Sequence, residues 1–144
     1  MKGPIQAVEV SYFVQATEDP ERLDRRVRVL LAVQGQREVD MLEGHFGNRI
    51  LHVHHHLTGD DAGGVVEALA SNLPAAVKGE LGDSMTERID EHSALFLRLD
   101  KQMLVTGRME LGTADPVRIK LKPRLFMVRD EAQDFYRKVL RLNG

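Results

Sequence analysis

The sequence predicts an α+β fold: a mostly antiparallel sheet with helices packed on one face, in the order β-α-β-β-α-(α)-β-β-β-α. Two observations lead there. Stretches that alternate apolar and polar residues are separated by stretches with apolar residues every three or four positions. Tight turns between the alternating stretches outnumber long crossovers, which favours antiparallel pairing. The 144 residues, 42% hydrophobic and 29% charged, read as one domain over 1–144, with no repeat, low-complexity tract or linker to divide it.

The first strand runs from Ile5 to Gln15, with Val8, Val10, Tyr12 and Val14 on one face and Glu9, Ser11 and Gln15 on the other. A helix start follows in Ala16–Glu21. Thr17 or Asp19 can cap free backbone amides, and Pro20 is tolerated in a first turn. Leu23, Val27, Leu30 and Leu31 keep helical spacing until Gln34-Gly35-Gln36 ends the helix. Residues Gln36 to Leu57 then form a hairpin. Val39 and Met41 share a face of its first strand, and Leu51, Val53, His55 and Leu57 share a face of its second. Glu43-Gly44-His45-Phe46-Gly47-Asn48 supplies the glycines and asparagine that close such a loop.

A second helix begins at Thr58, where Thr58 and Asp61 match a capping box, and carries Ala62, Val65, Val66, Leu69 and Leu73 on one stripe before Pro74 stops it. Its Gly63-Gly64 pair weakens it by about 1 kcal/mol per glycine relative to alanine. Residues 75–91 read as one or two short helical pieces, with Ser84 and Glu87 in a second capping pattern. The last third reads as a meander. Leu95, Leu97 and Leu99 alternate against Phe96 and Arg98, Asp100-Lys101-Gln102 turns the chain into a strand from Met103 to Leu111, and Gly112–Pro116 turns it again. Val117 to Lys122 alternates most cleanly of all, and Pro123 makes it an edge strand or ends it. Ala132, Phe135, Tyr136, Val139 and Leu140 mark a C-terminal helix.

Composition removes several function classes. With no cysteine there is no disulfide framework, thiolate metal site or cysteine nucleophile. The N-terminal MKGPIQAVEV lacks a signal-peptide core, and no apolar run approaches a membrane span, so the expected location is cytoplasmic. Nucleophile elbow, phosphate loop and dinucleotide glycine patterns are all missing from the sequence, and the expectation is a non-enzyme. Net charge is only −2, but its distribution is uneven. Residues 1–97 carry 9 Lys+Arg against 16 Asp+Glu, and residues 98–144 carry 11 against 6, which suggests one basic side.

Three groups of residues could carry chemistry. Arg118, Lys120 and Lys122, two apart on a strand and continued by Arg124, make a row of cations about 6.6 Å apart, with Arg98, Lys101 and Arg108 beside it. Such a row suits a phosphate backbone. It equally suits the polar face of a half-exposed strand, paired with Glu110 or Asp130. His52, His54 and His56 share a strand face with the spacing by which two imidazoles reach one zinc ion, with Glu38, Asp40, His45 or His92 available to complete it. No fixed ligand motif accompanies them, and the expectation is no metal. His55, on the apolar face, reads as a core or rim residue. The third group is the turn, where Gly44, Gly47 and Asn48 expose backbone amides while His45, Phe46 and Arg49 add a stacking surface and a cation, as suits unpaired RNA. The plainer alternative is a tight turn with Phe46 tucked into the core.

Three phrases occur in a telling order: Phe13-Val14-Gln15-Ala16-Thr17-Glu18-Asp19, Glu43-Gly44-His45-Phe46-Gly47-Asn48 and Leu97-Arg98-Leu99-Asp100-Lys101-Gln102. With the closing Val117–Lys120 strand and its helix, the chain resembles, over nearly its whole length, an archaeal family of small proteins described as RNA-binding and as predicted exosome-associated subunits. The resemblance implies a fold like that of the 5S-RNA-binding protein of the large ribosomal subunit, with no cofactor and no established catalytic residues. It also leads one to expect a basic polar face after the turn. Here that face carries His52, His54 and His56, so RNA contact there is weaker at neutral pH and stronger when histidines are protonated near pH 6.

The functional expectation is a non-catalytic RNA-binding accessory protein, with RNA and exosome subunits as partners and no membrane. Arg98, Lys101, Arg108, Arg118, Lys120, Lys122 and Arg124 contact phosphates in this reading, and His45, Asn48 and Arg49 lie at the rim. The alternatives are a protein–protein adaptor or homodimer using a sheet edge, and a metal-dependent enzyme using the histidine strand.

Overall fold

The computed structural model describes residues 3–142. Five strands, β1 (Ile5–Val14), β2 (Glu38–Glu43), β3 (Arg49–Thr58), β4 (Leu95–Leu99) and β5 (Val117–Pro123), form one antiparallel sheet in the order β2-β3-β1-β5-β4. The helices are α1 (Pro20–Leu30), α2 (Gly59–Asn72), α3 (Ala75–Asp83), α4 (Lys101–Val105) and α5 (Arg129–Val139), with a 3-10 turn at Met85–Arg88. This is an α+β architecture.

Alternation decides which face is covered. Val8, Val10, Tyr12 and Val14 of β1, Val53, His55 and Leu57 of β3, Leu95, Leu97 and Leu99 of β4, and Val117, Ile119 and Leu121 of β5 are all buried. They meet Leu23 and Val27 of α1, Val65 and Leu69 of α2, and Ala132 and Tyr136 of α5. Each such aliphatic side chain contributes about 1.5–3 kcal/mol by leaving water. The residues between them point to the other face, which no helix covers.

Local chemistry places the helices. Asp19, rather than Thr17, caps α1: its Oδ1 accepts from the backbone N–H groups of Glu21 and Arg22 at 3.0 and 3.3 Å, with Pro20 at the first position. Neither expected capping box forms. Thr58 makes no side-chain cap to α2, and the Ser84 hydroxyl donates back to the Glu80 carbonyl at 2.7 Å. The expected strand from Met103 to Leu111 is also absent. Asp100 Oδ1 accepts from Met103 N–H at 3.0 Å and starts the short helix α4 instead. Gly107, at φ +92°, turns the chain out of it, and only the single bridge from Leu99 to Leu111 remains of that pairing. β5 is an interior strand that ends at Pro123.

Candidate nucleic-acid interface

The uncovered sheet face is readable row by row from the register. Glu38, His54, Ser11, Arg118 and Arg98 form one row from β2 to β4. His56, Glu9, Lys120 and Phe96 form the next toward one end, and Asp40, His52 and Phe13 lie toward the other. The face is polarised. Its β5–β4 half carries Arg98, Arg118, Lys120 and Lys122, whereas its β2 edge carries Glu38 and Asp40. Arg118, Lys120 and Lys122 share this face with Val117, Ile119 and Leu121 buried opposite, as the alternation predicts.

Electrostatics on the face are only partly compensated. Lys122 Nζ pairs with Glu9 at 3.2 Å, so its partner is neither Glu110 nor Asp130. Partial burial pushes the Glu9 carboxyl up, but the Lys122 hydrogen bond and the charges of Lys122, Lys120 and His54 outweigh it and hold its pKa below the ordinary range. Arg98 and Arg118 face each other in register, and among the described residues neither side chain has a carboxylate partner. Like charges directly opposite on a sheet repel, which a bound anion would relieve.

Aromatic rings lie between these charges. Phe13 rests against His52, centroid to centroid 4.8 Å, and Arg118 Cζ lies 5.9 Å from the Phe13 ring centre. Lys120 Nζ lies 5.2 Å from the centre of the Phe96 ring, which is 37% exposed. These rings are missing from the site expected from sequence. The signal for Phe96 is its place in the polar phase of the Leu95–Leu99 alternation, and Phe13 likewise stands out of phase with Tyr12 and Val14.

The structure separates the other expected contact residues from this face. Lys101 is 2% exposed, and its Nζ donates to the Phe13 carbonyl and Glu18 at 2.8 Å and to Asp115. All three ammonium donors are therefore used internally, which corrects its assignment as a phosphate contact. Arg108 does not lie on the sheet, because its expected strand does not form. It sits beyond α4, 3.7 Å from Glu110. Arg124 follows the end of β5, where its backbone N–H donates to the Pro4 carbonyl at 3.2 Å and its Nε to that of Gly3.

His45 and Asn48 in the β2–β3 turn and Arg49 at the start of β3 are exposed, with β1 lying between that hairpin and the cations of β5. Phe46 is 91% exposed at the tip and is not tucked into the core. A Cβ on Gly44 would meet Asn48 Oδ1 at 2.5 Å, so any larger residue there requires the exposed Asn48 side chain to turn away. His52, His54 and His56 lie on the open face, with His54 3.6 Å from Glu9 and 3.9 Å from Glu38. Among the described residues no group of three or more His, Asp or Glu side chains is placed to hold a metal ion. Among them, too, no helix is long and apolar enough to cross a membrane.

Two of the sequence phrases turn out to interlock. Glu18 receives Lys101 Nζ and the Gln15 backbone N–H on Oε1 at 2.8 Å each, and Gln102 Nε2 on Oε2 at 2.9 Å. The segment after β1 and the segment after β4 are thus one joint, and it holds the Phe13 carbonyl at the margin of the open face.

Known proteins resemble this chain over nearly its whole length. It is 28% identical over 141 residues to the RNA-binding protein PAB1135 of Pyrococcus abyssi, covering 92% of each chain. Protein AF2318 from Archaeglobus fulgidus superposes with a TM-score of 0.77 at 28% identity, covering 94% of this chain and 99% of that one. Mth689, a DUF54 protein from Methanothermobacter thermautotrophicus, gives 0.76 at 27% identity over 94% and 98%. The model of the RNA_binding family, described as RNA binding, matches residues 7–123, and the chain belongs to that family.

Proposed function

We propose that this chain binds RNA, without catalysing a reaction on it, through the β5–β4 half of the open sheet face. Arg98, Arg118, Lys120 and Lys122 contact phosphates, and the acidic β2 edge repels the backbone and confines it to that half. The observation that carries this reading is the juxtaposition of Arg98 and Arg118 without a carboxylate between them. Family membership and the name of the Pyrococcus relative support RNA as the polyanion. The resemblance carried by the three motifs extends the setting to an RNA-processing exosome. A pull-down of exosome subunits from nuclease-treated extract tests that setting separately.

The test of binding is a titration with unrelated RNA sequences at two salt concentrations, comparing the parent with Arg118→Ala/Lys120→Ala/Lys122→Ala. Affinity should fall by a similar factor for every sequence, because phosphate contacts carry no base information. The slope of log affinity against log salt should flatten by roughly 0.7 for each single-strand phosphate that is no longer neutralised. A folded variant with unchanged affinity and slope would place the site elsewhere.

The second reading, a homodimer or protein adaptor, has its own observation in the exposed Val39, Met41 and Leu42 of edge strand β2. Pairing β2 with a second copy gathers two sets of Glu38 and Asp40 onto one face, so RNA binding stands first.

A further inference from the structure

The aromatic rings on the open face bear on the form of RNA it takes. This step rests on the reading of that face as the RNA interface. Phe96, 37% exposed, and Phe13, half-buried against His52, lie on this mostly polar face, and each ring carries a cation at its face: Arg118 at 5.9 Å from Phe13 and Lys120 at 5.2 Å from Phe96. Phe13 lies on β1 and Phe96 on β4, with β5 between them. The register puts Phe96 opposite Lys120 and puts Ser11, two residues before Phe13, opposite Arg118. The rings are therefore two strands apart across the sheet and four residues apart along it, a diagonal of about 16 Å. Arg118 lies at the middle of that diagonal, and Lys120 lies beside it, directly across from Phe96.

We infer that the face is a platform for single-stranded RNA, on which two unstacked bases lie against Phe13 and Phe96 while the intervening phosphates contact Arg118 and Lys120. A diagonal of about 16 Å is several times the ~3.4 Å rise between neighbours in a helical strand, so the two bases cannot be stacked neighbours. The strand must be splayed, as unpaired RNA is when it is read on aromatic side chains. A duplex offers its base edges and backbone to a protein and keeps its base faces occupied, so it can use the cations but not the rings. In the free protein the cations cover the rings. A base stacked on a ring gains more than an exposed cation–ring contact gives up, and the displaced ammonium or guanidinium is released to a phosphate.

The experiment compares the parent, Phe13→Leu, Phe96→Leu and the double variant against a short single-stranded oligouridylate and a short RNA duplex, each at low and at moderate salt. Each substitution should weaken the single strand about tenfold. The salt slope and the duplex affinity should stay unchanged, since every cation that meets a phosphate is retained. A double variant that binds the single strand as tightly as the parent, with the parent still binding RNA, overturns the platform and leaves the cationic interface standing. A parent that binds neither form overturns the interface itself.

A second readout does not depend on the Phe13 variants folding. The chain has no tryptophan, so Phe96→Trp creates a lone reporter. Its fluorescence should be quenched by saturating single-stranded RNA and not by duplex. Absence of quenching by a bound single strand overturns the inference.

Discussion

Arg98 and Arg118 stand directly opposite each other on β4 and β5, with the Arg118 guanidinium leaning toward Phe13 and no carboxylate paired to either among the described residues. Facing pairs on a sheet hold their Cβ atoms about 5 Å apart, where like charges are destabilising. Such a pair lowers the stability of the free protein and becomes favourable when an anion lies between its members. Stability and affinity should therefore move in opposite directions here.

Arg98→Ala should leave the unfolding free energy unchanged or raise it by up to about 0.5 kcal/mol, because it removes a repulsion and buries nothing new. The same variant should bind RNA more weakly and with a flatter salt slope. Urea unfolding and an RNA titration on the same preparation check both arms. A variant that loses stability while keeping affinity would make Arg98 a structural residue.

Glu9→Gln should do the reverse. Glu9 holds Lys122 at 3.2 Å and lies in register with Lys120, so neutralising it frees two cations for phosphate. Affinity should rise a few-fold at low salt and the salt slope should steepen. The fold should lose roughly 0–1 kcal/mol, as for other partly exposed pairs. Unaltered RNA affinity would show that Lys122 lies outside the track.

Lys101 tests how a sequence motif is to be understood. Lys101→Met leaves Glu18 and Asp115 without their shared cation, and the cost should be roughly 3 kcal/mol, at the low end for a broken buried pair because Asp115 and Glu18 keep some contact with water. A fall in Tm of about 10 °C should accompany it. Below the transition the RNA salt slope should match the parent's, since the ammonium faces three internal acceptors and no solvent. A flattened slope in a stable variant would return Lys101 to the binding surface.

What the sequence makes legible here follows from the range of the forces involved. β1, β3 and β5 are readable because burial of one face imposes period two, and the same rule puts Arg118, Lys120 and Lys122 together. Met103–Leu111 also alternates, with Met103, Val105, Met109 and Leu111 as apolar marks in one phase, yet the Asp100 cap and good helix formers after it win locally. Nothing adjacent to Lys101 distinguishes it from a surface lysine. Its acceptors come from Phe13, Glu18 and Asp115, which only the fold assembles. Phe96 shows the opposite failure: its outward phase is visible in the sequence, but its meaning depends on Lys120, a strand away.

His55 supplies the last prediction, an acid-sensitive fold. The ring is 1% exposed, and neither nitrogen has a hydrogen-bond partner among the described residues. Burial first, and the charge of Arg28 on α1 second, lower its pKa to about 4; Arg37 before β2 and the neighbouring His54 add to this, and Asp24 on α1 opposes it. The unfolded chain has the ordinary value near 6.5. Above that value both states are neutral and the group contributes no pH dependence. Between about 6.5 and 4 the unfolded chain takes up a proton that the folded chain refuses, so stability falls as pH falls, by roughly 3 kcal/mol over the window. Carboxylates with lowered pKa values, such as Glu9, add their own acid loss, so the parent's curve alone would not isolate the histidine. His55→Leu isolates it, because those carboxylates remain in both proteins and cancel in the difference. At neutral pH the variant should be about as stable as the parent or more so, since two unpartnered buried nitrogens are removed. On going to about pH 4.5 its advantage should grow by about 2–3 kcal/mol. Urea unfolding at both pH values gives the two differences, and equal values would mean that His55 is solvated or partnered in the folded protein.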